Sequence, residues 1–101
     1  MSMFQNAGGQ LVTADAAVSS SGKPVRVYMI HIISGCGGGG VVSLRNGTTA
    51  SDTAWITETG TTSKGVTFSY GGCGIAFPNG CFVDIDTNTV SVAVSFERMD
   101  G

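Results

Sequence analysis

Charged residues are scarce in this chain of 101 residues, and their scarcity excludes several classes of function. They make up 12% of the sequence, about half the average for soluble proteins. With five lysines and arginines and a formal net charge of −2, the chain has no basic stripe of the kind that binds nucleic acid. The longest apolar run, Val25 to Ile33, is interrupted by Arg26 and His31, which argues against a membrane-spanning helix. We therefore expect neither nucleic acid nor a membrane as a partner.

Residues suited to acid–base or metal chemistry are equally few. His31 is the single histidine and lies among isoleucines in a predicted strand, so we interpret it as a packed or interface residue. Cys36, Cys73 and Cys81 form no C-x2-C pair, which disfavours zinc, and their odd number does not suit a secreted disulfide scaffold. A Cys73–Cys81 bridge stays open as a late oxidative event. We predict no enzyme, no catalytic or cofactor-binding residue and no metal site.

Two further motifs have simpler readings than the chemistry that they suggest. The glycine run 35–40 is followed by a β-branched strand without a nearby lysine, so it lacks the helix N-terminus that a phosphate loop requires. Asp84 and Asp86 share one side of a predicted strand and could bind calcium, but an ordinary solvated face has the same spacing. Neither motif predicts a site by itself.

What the chain does contain is a two-residue period of apolar side chains between glycine-rich turns. Val90, Val92, Val94 and Phe96 occupy every second position near the C-terminus, a pattern typical of a half-buried strand. Similar segments recur about every ten residues, and none has a helical period. The pattern predicts an all-β chain with a single small antiparallel β-sandwich or jelly-roll-like domain of seven to eight strands over residues 11–101. Residues 1–10 are predicted to form a flexible N-terminal arm.

The predicted strand 25–33 is apolar on both of its faces, which is typical of a strand covered on two sides. A small sandwich covers only one face of each sheet, so a partner chain is the natural second cover. A strict alternation places Val25, Val27, Met29, His31 and Ile33 on one face and three apolar side chains on the other. We predict interface contacts at that second face and at the arm, through Tyr28, Ile30, Ile32, Met3 and Phe4.

Several segments give the chain a resemblance to a known class of proteins. These are the strand before the glycine loop, the run VVSLRNGT, the turn and strand FPNGCFVD, and the terminal valine ladder, together covering about residues 24–97. In layout the chain resembles small β-sandwich structural proteins of tailed bacteriophages, of the marine and cyanobacterial type. The resemblance implies a virion component such as a capsid decoration or cement protein, with no catalytic residues.

The expected function is therefore that of a non-enzymatic virion structural protein, assembled in the host cytoplasm, that self-associates and stabilises the capsid shell. Its expected partners are copies of itself, with a trimer as one arrangement, and the major capsid protein or another virion protein. Serine- and threonine-rich faces can form hydrogen bonds at an interface without the cost of burying charge. The alternative is a module of a phage tail or fibre that binds host-surface glycan, with Trp55 among the aromatic residues of a groove.

Overall fold

The structure, a computed structural model, describes residues 7–35, 39–61 and 65–99. In this part of the chain all regular structure is β-strand, and no helix is long and apolar enough to cross a membrane. The strands are β1 (Ala7–Val12), β2 (Ala16–Ala17), β3 (Val25–Ser34), β4 (Val41–Asn46), β5 (Ala54–Thr59), β6 (Val66–Ser69), β7 (Ile75–Phe77), β8 (Cys81–Ile85) and β9 (Thr89–Arg98). The predicted all-β sandwich is confirmed. With the short strands β2 and β7, the described residues form nine strands, one more than the upper end of the predicted seven to eight.

The strands pair in a nested order. β4 pairs with β5, β3 with β6, β2 with β8 and β1 with β9, each pair enclosing the one before it along the chain. Further pairing between β3 and β9 and between β4 and β8 gives two antiparallel sheets, β1-β9-β3-β6 and β2-β8-β4-β5, with β7 beside β3. This is the arrangement of a jelly roll, in which a long folded hairpin winds into two facing sheets.

The core lies between the two sheets and is almost entirely aliphatic. Ile30 and Ile32 of β3 and Val92 and Val94 of β9 face Val83 and its neighbours on the second sheet. All five side chains are buried, as are their companions Val12, Val18, Val25, Val27, Val42, Leu44, Phe77, Cys81 and Phe96. Burial of such side chains contributes roughly 1.5–3 kcal/mol each. The apolar alternation in the sequence therefore marks the inner faces of both sheets.

The first strand begins earlier than the sequence pattern indicates. β1 starts at Ala7, so residues 7–10, which were predicted to be part of the arm, belong to the sheet. Glycine fits here because a Cβ at Gly8 would lie 3.1 Å from Cζ of Phe96 on the neighbouring strand. The side chain of Gln10 also links the two sheets, since its Nε2 donates to the carbonyl oxygen of Ala17 and its Oε1 accepts from the N–H of Ser19. The predicted arm thus retains only residues 1–6, which lie outside the described residues.

A β-bulge in β3 corrects the predicted assignment of its two faces. Val27 pairs with Phe96 and Met29 pairs with Ser95, so Tyr28 is an extra residue without a counterpart on β9. An extra residue reverses the alternation of the side chains that follow it. Val25 and Val27 point into the core before the bulge, and Ile30 and Ile32 do so after it. The expectation that Val25, Val27, Met29, His31 and Ile33 share one face was wrong for this reason.

Candidate docking surface

Beyond the bulge, the described residues on the outer surface of the β1-β9-β3-β6 sheet carry no charged side chain. The strand pairings align three rows of outward-facing residues across it. Among the described residues, the set that we call the uncharged face contains no Lys, Arg, Asp or Glu. Its members are Gly9, Leu11, Met29, His31, Ile33, Thr67, Ser69, Ser91, Ala93 and Ser95, of which Ser91 is buried. Such a surface can meet another protein without the cost of desolvating charge.

Two large apolar side chains project from the uncharged face. Leu11 on β1 is 66% exposed, and Met29 on β3 is 40% exposed. Ala93 lies between the strands that carry them and is also exposed. Single exposed apolar residues are common on protein surfaces, but aliphatic groups grouped on a flat face free of charge are typical of an interaction surface.

His31 lies near the centre of the uncharged face. Its Nδ1 is 2.7 Å from the hydroxyl Oγ1 of Thr67 on the adjacent strand. Gly65 packs against the other side of the ring, where its φ of +94° and the contact that a Cβ would make with Nε2 of His31 leave room only for glycine. No carboxylate is among the described hydrogen-bond partners of His31. The arrangement fixes the imidazole in place but supplies no charged group to orient it as a catalytic base.

The outer surface of the β2-β8-β4-β5 sheet is different in character. Arg45 and Asp84 form a salt bridge of 2.9 Å, and Arg45 also donates to the carbonyl oxygen of Asp52. The hydroxyls of Ser43 and Thr57 lie 3.2 Å apart. Polar groups on this surface are thus paired with one another and partly open to solvent. The two outer surfaces of the sandwich are chemically unequal.

Among the described residues of the first sheet, the outward-facing charged side chains lie on the other side of the bulge from the uncharged face. Arg26 and Glu97 are directly opposed on β3 and β9, and the Tyr28 hydroxyl donates to Oε1 of Glu97 at 3.1 Å. Arg26 in turn donates to the carbonyl oxygen of Cys73. Desolvation and the contact with Glu97 raise the pKa of Tyr28. These groups form a polar border at one end of the uncharged face.

The structure separates the five interface residues that the sequence predicts. Ile30 and Ile32 are completely buried within the chain, because the bulge turns them into the core, so their side chains are not available to a partner. Tyr28 is half-buried at the border of the uncharged face. Met3 and Phe4 lie outside the described residues. Met29 was not predicted, because the alternation in the sequence does not reveal which face turns outward after a bulge. Leu11 was not predicted either, because its place on this face depends on the pairing of β1 with β9, which is distant in sequence.

A second feature lies at the side of the sandwich where β5 approaches β6 and β7. Trp55 is 47% exposed and its ring stacks on buried Phe77, with centroids 5.5 Å apart and an interplanar angle of 28°. Farther along the same side, the Tyr70 hydroxyl donates to Oε2 of Glu58 at 3.1 Å. Burial and the nearby carboxylate raise the pKa of Tyr70. Trp55 therefore exposes one face of its ring to solvent while Phe77 supports the other.

The remaining candidate groups serve the fold. Cys73 is exposed and Cys81 is buried, and both are free thiols, so the bridge that the sequence left open is absent from the structure. Asp86 accepts hydrogen bonds from Asn88 N–H and the Thr89 hydroxyl in the turn before β9. Asp84 is paired with Arg45. Within the described ranges, no three His, Cys, Asp or Glu residues are grouped to hold a metal ion. Cys36 and residues 37–38 of the glycine run lie outside those ranges.

Comparisons with protein-family models, with characterised proteins and with solved structures find no match to this chain.

Proposed function

We propose that this protein is a non-enzymatic structural component of a bacteriophage virion that self-associates and that decorates and stabilises the capsid shell. The observation that carries the proposal is the contrast between the two outer surfaces of the sandwich. The outer surface of the β2-β8-β4-β5 sheet carries the Arg45–Asp84 ion pair and is suited to contact with solvent. The outer surface of the other sheet exposes Leu11 and Met29 on the uncharged face. A protein that lies flat on a larger assembly needs one surface of each kind.

The fold supports this proposal without deciding it. Jelly rolls occur in viral capsid proteins and also in lectins, and a fold alone does not specify a function. A decoration protein binds many symmetry-related copies of one shell site, so modest contacts can suffice, particularly where copies also bind one another. The small side chains of the uncharged face allow broad, shallow contact of this type.

The proposal includes the absence of catalysis. The Thr67 hydroxyl beside His31 resembles a nucleophile next to a base, but the pair lies on an open sheet surface and the structure describes no carboxylate to orient the ring. We expect His31→Gln to change the stability of the protein or its docking. We expect neither the wild type nor this variant to catalyse a reaction.

The direct test is binding to shells assembled from the major capsid protein of the phage that would carry this protein. Ala93→Lys places a charge at the centre of the uncharged face, where it would have to be desolvated on docking. We expect the variant to bind such shells at least about tenfold more weakly than the wild type, a loss of about 1.4 kcal/mol. Thr59→Lys adds the same charge on exposed β5 of the other sheet and should bind as the wild type does. Equal binding by all three proteins would exclude the uncharged face as the docking surface.

A second candidate function is recognition of host-surface glycan by a tail or fibre module, favoured by the stacked and exposed Trp55. Aromatic faces that are open to solvent are suited to stacking on apolar surfaces of other molecules. Specific glycan binding that is lost in Trp55→Ala would support this alternative. Under the decoration proposal, Trp55→Ala leaves shell binding unchanged.

A further inference from the structure

The edge strand β1 is an unusual feature of this fold because it is long, regular and unprotected. In the described part of the chain it pairs only with β9, in an unbroken register from Ala7 to Val12. One side of an edge strand presents N–H and C=O groups that are free to pair with another strand. β1 therefore offers a template for extending the sheet.

The other sheet edges carry features that discourage such pairing. β2 has two residues, and β6 has four. β5 is interrupted by a register shift near Trp55 and carries Glu58. Short length, bulges and charged side chains are the usual means by which proteins protect their edges. The β1 sequence AGGQLV contains no charge and no proline, and its register has no bulge.

β1 is also firmly anchored to its own domain. Val12 is buried in the core, and the Gln10 side chain makes two hydrogen bonds to the chain around β2. A strand held in this way is already extended, so pairing with it costs little additional order.

Gly9 and Leu11 lie side by side on the outer surface of β1. Leu11 is the most exposed of the large apolar side chains described. Gly9 is not required by the domain itself, because a Cβ there would meet only the carbonyl oxygen of Val94, at 3.9 Å, and its φ is not positive. A glycine within a strand often marks the close approach of another backbone or ligand.

We propose that β1 pairs antiparallel with β1 of a second copy of this chain about a two-fold axis, so that Leu11 of each copy covers Gly9 of the other. An axis normal to the sheet keeps both outer surfaces on the same side, and directly opposed residues must then share a face. A register centred on Gln10 meets this condition with residues 8–12. It opposes Leu11 to Gly9 on the outer surface and Val12 to Gly8 on the inner one.

This inference deepens the self-association in the proposed function and rests on it. From strand spacing and rise, four strands crossed by six residues give an uncharged face of about 400 Å². Standard protein interfaces bury about 800 Å² on each partner. Two copies joined through β1 would present one continuous sheet of about that area to the shell. The uncharged face of one copy therefore has about half the area that one partner buries in a standard protein interface.

The first test measures the oligomeric state by size-exclusion chromatography with light scattering from micromolar to millimolar concentration. We expect a concentration-dependent dimer in the wild type. Leu11→Lys should weaken it at least about tenfold, because the two added charges would lie diagonally across the two-fold axis and repel each other. Thr59→Lys is the matched control with the same added charge and should dimerise normally. A wild-type monomer throughout, or dimerisation that is unchanged in Leu11→Lys, would overturn the inference.

The second test does not depend on tolerance of a buried charge. Gly9→Cys with Leu11→Cys, in a background of Cys36→Ser and Cys73→Ser, should form a disulfide-linked dimer, whereas neither single substitution should do so efficiently. A trimer, or a dimer that the double variant fails to crosslink, contradicts the proposed pairing. If the crosslinked dimer forms but no version of the protein binds shells, the pairing stands and the decoration function fails.

Discussion

Two cysteines show how strongly the surroundings change one residue type. Cys73 is exposed, whereas Cys81 is 1% exposed and packs within the core as a small apolar side chain. Burial raises the pKa of the Cys81 thiol to about 12. The sequence distinguishes the two only weakly, through the alternation of Cys81 with Val83 and Ile85.

The raised pKa of Cys81 predicts a loss of stability at alkaline pH. The folded state keeps this thiol protonated, so its contribution is complete below the unfolded pKa of about 8.5 and is lost as the pH rises from there towards 12. The free energy of unfolding should fall by up to about 1.4 kcal/mol per pH unit from this group. Urea unfolding at pH values of about 7.5 and 10 should show this loss in the wild type and in Cys73→Ala, and a smaller one in Cys81→Ala. The same loss in all three proteins would show that Cys81 ionises equally in both states.

Among the single elements, β3 shows how a bulge changes the meaning of an apolar sequence pattern. Its residues Tyr28 and Met29 separate two apolar pairs that stand out of phase, Val25 with Val27 and Ile30 with Ile32. A strand that looks apolar on both faces is here a strand that changes face at a bulge. The apolar surface that remains outside is therefore much smaller than the pattern implied.

The bulge gives opposite expectations for two neighbouring residues. Ile30→Ala removes a completely buried side chain and should reduce the free energy of unfolding by about 2–5 kcal/mol. Met29→Ala trims a partly exposed side chain and should change it by about 0.5 kcal/mol or less. Denaturant unfolding of both variants would check this. A larger loss for Met29→Ala than for Ile30→Ala would contradict the bulge.

The local sequence pattern was sufficient to predict where strands occur. It was insufficient to predict which side chains of each strand point into the core. The alternation from Val92 to Phe96 and the turn Pro78-Asn79-Gly80 depend on neighbours in sequence, and the strands around them were predicted. Val90, which the same alternation placed inside, is 55% exposed because β9 shifts register against Ile33 and Ser34. Register shifts depend on the partner strand, which is distant in sequence.

The candidate docking surface could not be predicted for the same reason. Leu11, Met29 and Ala93 come from three separate strands, and only the pairings of β9 with β1 and β3 bring them together. The composition showed that charged residues are scarce. It did not show that one outer surface of the sandwich has fewer of them than the other. The sequence did predict that the protein has a polar surface with little charge.

For the whole molecule, the unequal outer surfaces define an orientation on any larger assembly. The side bearing the Arg45–Asp84 pair should face solvent, and the uncharged face should lie against the shell. Reversing this orientation would bury an ion pair and leave Leu11 and Met29 exposed to water. Pairing through β1 is compatible with the predicted orientation, since it leaves the uncharged faces of both copies on one side.

A cryo-electron microscopy map of the virion tests the central claim most directly. We predict density for this domain on the capsid, with the β1-β9-β3-β6 sheet against the shell and the β2-β8-β4-β5 sheet facing outward. A map that places the domain with the second sheet on the shell, or that contains no copies of it on the capsid, would contradict the account.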